Sequence, residues 1–199
     1  MCKSLELDGV AVTEHSAWDA EPLISVMEKE GLVMLPSREV SCAGLHVLVI
    51  TSDQRLVNNL GSAVTPDQLA IPGIACIWAH PAFLGGSGVH PLTIPPPGEV
   101  ETVLHAVEVL NGQRLHMASG ISRALETAEM LNLPGTGGSD AHRARDIGRC
   151  FTEIGCEADG GPAGIIEAIR TGRVRPVLSK IWADLNAYDY RSDLAVFLG

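Results

Sequence analysis

Only 4% of the 199 residues are aromatic, three are lysines, and the five cysteines, at positions 2, 42, 76, 150 and 156, include no Cys-x-x-Cys pair. An odd, scattered set excludes a disulfide framework and a thiolate zinc knuckle, so reduced thiols in a cytoplasmic protein are the expectation. No apolar run approaches the roughly 20 residues of a membrane span; the longest, such as residues 47–50 and 73–79, are far shorter. No secretory leader is visible. Cations are scarce as well: 14 Lys and Arg against 24 Asp and Glu leave a formal charge of −10. That balance disfavours a broad grip on duplex nucleic acid, which needs many Lys and Arg contacts to phosphate. What is plentiful is apolar. A hydrophobic content of 46% with a mean hydropathy of +0.18 fits one main domain, assigned to residues 1–182 with 183–199 as a C-terminal tail.

Short apolar runs alternate with segments of helical pattern. Residues 9–13, Gly-Val-Ala-Val-Thr, are a buried-strand candidate that ends in Glu14-His15. Residues 19–30 read as a helix with Asp19 as N-cap, Leu23, Val26 and Met27 as its apolar stripe and Gly31 as its stop. A strand over 32–36 then delivers Glu39. Residues 46–50 form a third strand that carries His46 at its start rather than its end, an irregularity the pattern does not explain. A fourth, 74–78, runs into Ala79-His80-Pro81, where proline ends the pairing. Further along come a short helix over 99–105, a strand over 106–110 closing at Asn111-Gly112, a helix over 119–131, a strand over 149–154, a helix over 162–171 and a strand over 174–178. The alternation predicts an α/β fold with a mainly parallel sheet, open or closed into a barrel, and functional groups at the carboxyl ends of its strands.

Ser139-Asp140-Ala141-His142 places two hard-metal ligands at i and i+2 on one loop, and Gly137 and Gly138 before it supply the freedom a tight ligand turn needs. Together with His15, Glu39, His46 and His80, most of them at strand mouths, Asp140 and His142 make a set of four imidazoles and two carboxylates. Such a nitrogen and oxygen set, free of sulfur, suits Zn²⁺, Mn²⁺ or Fe²⁺ better than Ca²⁺ or a structural zinc site. Glu14 beside His15 either orients the imidazole or is solvated. His90, His105 and His116 read as surface or packing residues, Asn111 as a turn residue, and Arg143 and Arg145 as solvated charges rather than phosphate contacts.

The chain resembles the PHP (polymerase and histidinol phosphatase) family of metal-dependent phosphoesterases through 8-Asp-Gly-Val-Ala-Val-Thr-Glu-His-15, Ala79-His80-Pro81, Glu108-Val109-Leu110-Asn111-Gly112 and Gly137-Gly138-Ser139-Asp140-Ala141-His142. The likeness covers roughly residues 1–178. It implies a distorted TIM-like (β/α)7 barrel with up to three divalent metal ions at its carboxyl mouth. By resemblance, Glu39, His46 and His80 match the ligands of one metal, Glu39 also bridging to a second that Asp140 helps to hold, and His15 and His142 match two ligands of a third. The family opens with a strand carrying His-x-His and a further His; this chain has no such motif, so the expected barrel is short of about one strand and three ligands. Ser37 stands where the family usually has Gly, and Ala82-Phe83 follows His80-Pro81 where close relatives often carry an arginine.

The expected activity is hydrolysis of small phosphate esters, nucleotides or short oligonucleotides, with Glu39, His80, Asp140 and His142 as the catalytic set. The alternative is a truncated, catalytically impaired metal-binding or protein-interaction domain, in which a partner chain or a homodimer covers the exposed edges of an incomplete barrel. An amidohydrolase would need a bridging modified lysine, and Lys3, Lys29 and Lys180 all lie away from the ligand-bearing strand ends.

Overall fold

The computed structural model describes residues 1–81, 98–115, 118–156 and 160–186. In chain order the elements are β1 (Gly9–Glu14), α1 (Glu21–Lys29), β2 (Val33–Cys42), β3 (Leu45–Thr51), α2 (Gln54–Asn59), β4 (Ala63–Val64), α3 (Pro66–Leu69), β5 (Ile74–Trp78), a 3₁₀ segment (Gly98–Val103), β6 (Ala106–Asn111), α4 (Ala118–Met130), β7 (Gly135–Gly138), β8 (Cys150–Ile154), α5 (Gly161–Arg170), β9 (Val174–Leu178) and α6 (Lys180–Leu185). None of the described helices is long and apolar enough to cross a membrane, and all five cysteines are free.

Seven strands form one sheet in the order β1-β2-β3-β5-β6-β7, with β4 paired to β2, and the sheet curls into a half-barrel. Every pairing is parallel except the two made by β3, which runs antiparallel to both β2 and β5. The strict β-then-α alternation read from the sequence therefore fails at residues 33–51. There, Ala43 and Gly44, both at positive φ, close a two-residue hairpin, the turn whose twist matches the strands it joins. The second strand runs on to Cys42 rather than stopping at Pro36, because β3 folds back along it from Leu45 to Ile50.

That reversal explains the position of His46. An antiparallel strand begins where its neighbour ends, so the start of β3 lies at the same end of the sheet as the finish of β2 and β5. The long β2 also shares one edge between two partners, β1 along Val33 to Arg38 and β4 at Ser41 and Cys42. Glu39 lies where β1 has already left and β4 has not begun.

Alternation sorts the side chains of β2, β3 and β5 between two cores. Val40, Val47, Val49, Ile74, Cys76 and Trp78 face a cluster that includes Val57 of α2 and Leu69 of α3. Leu35, Ile50, Ala75 and Ile77 face the other way, onto Ile166 and Ile169 of α5. Glu39, His46 and Leu48 share the parity of this second face, so one face carries an apolar floor at one end and polar ligands at the other. The β8–β9 pair, antiparallel, packs beside β7, where the Thr152 hydroxyl donates to the Gly137 carbonyl at 2.8 Å and accepts its N–H at 3.0 Å.

Residues 135–138, expected as a loop leading to Asp140, are instead the edge strand β7. Neither Gly137 nor Gly138 is at positive φ, so conformational freedom is not what these glycines provide. Space is: a Cβ on Gly137 would lie 2.6 Å from the Phe151 carbonyl oxygen, and one on Gly138 would collide with the Glu108 carboxylate. At the first helix, Ala20 rather than Asp19 is the N-cap, and Asp19 accepts the Glu21 N–H at 3.1 Å.

Candidate metal centre

Glu39 of β2, His46 of β3 and His80, two residues past β5, meet at the mouth. One donor atom each from Glu39, His46 and His80 lies within 4.8 Å of the others. His46 Nδ1 is in direct contact with Glu39 Oε1, and His80 Nε2 is 3.5 Å from the same oxygen. The His46 and His80 rings stand edge to face, 5.2 Å between centroids. Glu39 keeps 12% side-chain exposure and the two imidazoles about 20%, half-buried yet open to a ligand. His15, just past β1, reaches within 4.0 Å of Glu39 Oε2 while remaining largely exposed.

The local backbone is bent to make this arrangement. His80 adopts φ +34° and Asp140 φ +46°, left-handed conformations that cost a non-glycine residue on the order of 1 kcal/mol and concentrate at functional sites. His80 is the sharper case, because a residue before proline ordinarily stays extended. What holds it is Glu108, whose Oε2 accepts the His80 N–H at 2.9 Å and also an Asn111 Nδ2 hydrogen at 3.0 Å. The same Asn111 nitrogen donates to Asp140 Oδ2 at 3.2 Å. Glu108 and Asn111 thus join the His80 turn to the Asp140 turn.

These two residues are the ones that pattern reading undervalued. Three apart on a regular strand they would face opposite ways, but the β6–β7 register shifts between Glu108 and Leu110. The bulge inserts one residue and returns both side chains to one face. A Glu and an Asn around Val109-Leu110 in a buried strand was the available signal, since Glu108 is 3% exposed and Asn111 fully buried.

Electrostatics couple the cluster. Burial alone would raise the Glu39 carboxyl, yet hydrogen bonds and charge from His46 and His80 hold it well below the usual carboxylate range. Burial would lower His80, but the Glu39 hydrogen bond and the charges of Glu108, Glu39 and Asp140 raise it instead. Burial pushes Glu108 up to about 7, against the lowering pull of His80 and the Asn111 hydrogen bond. A cation placed among Glu39, His46 and His80 would replace the imidazole proton as the compensating charge.

His142 is placed otherwise. It is 76% exposed, its Nδ1 contacts the backbone oxygen of Asp140 at 2.9 Å, and it is not in the group that converges on Glu39. Ser37, in the position usually held by glycine in the resembling family, donates to the Val12 carbonyl at 2.9 Å and ties β2 to β1. His105 accepts the Cys76 N–H on Nδ1. His90, His116 and Ala82-Phe83 lie outside the described residues.

Residues 122–174 match the family model of the PHP-associated segment. No curated protein sequence matches the chain. Among solved structures, PsfC from Pseudomonas syringae PB-5123 superposes with a TM-score of 0.66 at 20% identity, over 94% of this chain and 83% of PsfC. A two-domain protein from Bacteroides vulgatus ATCC 8482, containing a predicted PHP-like metal-dependent phosphoesterase, superposes with a TM-score of 0.64 at 21% identity. That alignment takes in 87% of this chain, which spans 56% of the larger protein. At these identities the likeness shows the fold, and with the matched segment it bears out the PHP resemblance carried by the sequence motifs.

Proposed function

We infer, from a PHP resemblance carried by motifs, matched segment and fold alike, that this chain is a metal-dependent phosphoesterase acting on small phosphate esters. The observation that carries the reading is the convergence of Glu39, His46 and His80 within 4.8 Å. The donor set fits a divalent ion: one carboxylate oxygen and two imidazoles match the borderline preference of Zn²⁺, Mn²⁺ or Fe²⁺. The two imidazoles already face the Glu39 carboxylate, and they hold its carboxyl below the usual carboxylate range. An ion held there supplies Lewis-acid activation of water and neutralises charge developing on the phosphoryl oxygens.

The chain's own residues do the rest. Glu39 carries the negative charge that retains the ion, and His46 and His80 fix its place without adding charge. Glu108 and Asn111 hold His80 and Asp140 in their turns, so both enter the site preorganised. Asp140 and His15 flank the triad and extend it towards further ions, within a barrel of the (β/α)7 type. Nucleotides and short oligonucleotides are candidate substrates, and the net charge of −10 favours the small end of that range.

Hydrolysis of a chromogenic phosphate ester by metal-loaded protein tests the reading. Activity should vanish with chelator and return when Mn²⁺ or Zn²⁺ is restored; turnover indifferent to chelation would refute it. The second reading, an interaction domain without turnover, draws on the β1–α1 margin. There β1 pairs only with β2 among the described residues, and Val26 of α1 is 54% exposed. A stable, active monomer in sedimentation would count against that reading.

A further inference from the structure

Past the Asp140 turn, with His142 and Gln113 in its lining, lies a cleft of about 570 Å³. Three guanidiniums, from Arg143, Arg145 and Arg149, line it against one carboxylate, Asp146, which lies 3.9 Å from Arg149. In a chain with only 14 cations and a net charge of −10, this is a local reversal of sign. Among the described residues, Arg143 and Arg145 have no carboxylate within ion-pair distance. Both side chains are exposed.

The cleft is built rather than incidental. The loop bearing the arginines is pinned from below, where Trp182 Nε1 donates to the Arg145 carbonyl at 2.7 Å, and it is closed on itself by the Asp146 N–H to the Arg143 carbonyl at 2.9 Å. Two of its other lining residues are bonded to the Asn111–Asp140 network. Gln113 donates its backbone N–H to Asn111 Oδ1 at 3.0 Å, and His142 rests on the Asp140 carbonyl at 2.9 Å. Gln113 and His142 are thus each two positions from a residue of the Glu108–Asn111–Asp140 network.

We propose that this cleft binds a second phosphate group on the substrate, so that the preferred ester is a small molecule phosphorylated at two positions. The inference rests on the phosphoesterase reading for its role, though not for its binding. Forked guanidiniums on a fixed loop recognise a tetrahedral oxyanion. Trp182, the cleft's one Trp, Tyr or Phe among the described residues, is closed to a nucleobase, because it is 3% exposed and the Arg149 guanidinium covers its ring at 4.5 Å. The expected occupant is recognised by its phosphate, through the guanidiniums, rather than by a base.

Two measurements decide it, each on wild type and on the R143A/R145A double variant, whose fold is checked by circular dichroism. In the first, inorganic phosphate is titrated by calorimetry into metal-free protein in chelator. Binding should weaken with salt and fall at least tenfold in the variant; equal binding in the two proteins, or none in wild type, overturns the proposal. In the second, metal-loaded protein is offered fructose 1,6-bisphosphate, 6-phosphogluconate and glucose 6-phosphate. The bisphosphate should lead glucose 6-phosphate by about tenfold in kcat/KM, with that lead lost in the variant. Equal use of the phosphogluconate, or of all three, overturns the phosphate assignment. Absence of all turnover would defeat the phosphoesterase reading, and the first measurement would still decide the cleft.

Discussion

Glu108 accepts the backbone N–H of His80 at 2.9 Å from a position that is itself buried. A carboxylate withdrawn from water to hold a strained turn is costly, and its pKa records that cost at about 7. It sets the position of His80 through that backbone hydrogen bond.

The first prediction concerns stability against pH in metal-free protein. Below the unfolded pKa of 4.5, Glu108 is protonated in both states and contributes nothing. Between 4.5 and about 7 the folded state keeps a proton that the unfolded state has lost, so stability falls as pH rises, by on the order of 3 kcal/mol in total. His80, raised above its ordinary value, adds a decline of the same sign. Urea unfolding from pH 5 to pH 8 should show this downward slope in wild type and a flatter one in E108Q. A slope unchanged by the substitution would contradict the burial of an ionisable Glu108.

Gly138 should not tolerate a side chain. A Cβ there meets the Glu108 carboxylate, and crowding of this kind costs about 1–3 kcal/mol. Gly155 serves as the control, since its Cβ would find its first contact at an ordinary 3.5 Å. G155A should lie within about 0.5 kcal/mol of wild type in denaturant unfolding, and G138A well outside it.

Arg38 is predicted to be structural. Its buried guanidinium donates to the carbonyls of Val57 at 3.3 Å, of Leu60, and of His15 at 3.2 Å, which fastens α2 and the His15 turn to β2. R38M preserves much of the volume while leaving three carbonyls without that donor. A loss of about 3 kcal/mol in urea unfolding is expected, together with a changed His15 environment in the NMR spectrum.

Most of the fold was legible because its elements follow the apolar periods closely. The helix over 162–171 appears as Gly161–Arg170, and the strand over 174–178 as Val174–Leu178. What escaped depended on partners rather than period. The direction of β3 is set by the Ala43-Gly44 turn and the pairing it permits. The sequence Gly-Thr-Gly-Gly has low strand propensity, and β7 exists because β6 and β8 approach too closely for larger residues. Of the candidate ligands, Glu39, His46 and His80 converge with His15 beside them. Asp140 joins through Asn111, and His142 faces the arginine cleft. The Glu108–Asn111 link was hidden by the bulge, which no two-residue periodicity anticipates.

The most direct test of the account is the metal content of purified protein measured by plasma mass spectrometry, alongside E39Q and H80A. About one tightly held divalent ion per folded chain is expected for wild type, and less than about a tenth of that in either variant, with secondary structure retained. Full metal loading in both variants, or none in wild type after incubation with Zn²⁺ and Mn²⁺, would contradict the assignment of Glu39, His46 and His80 as a metal centre.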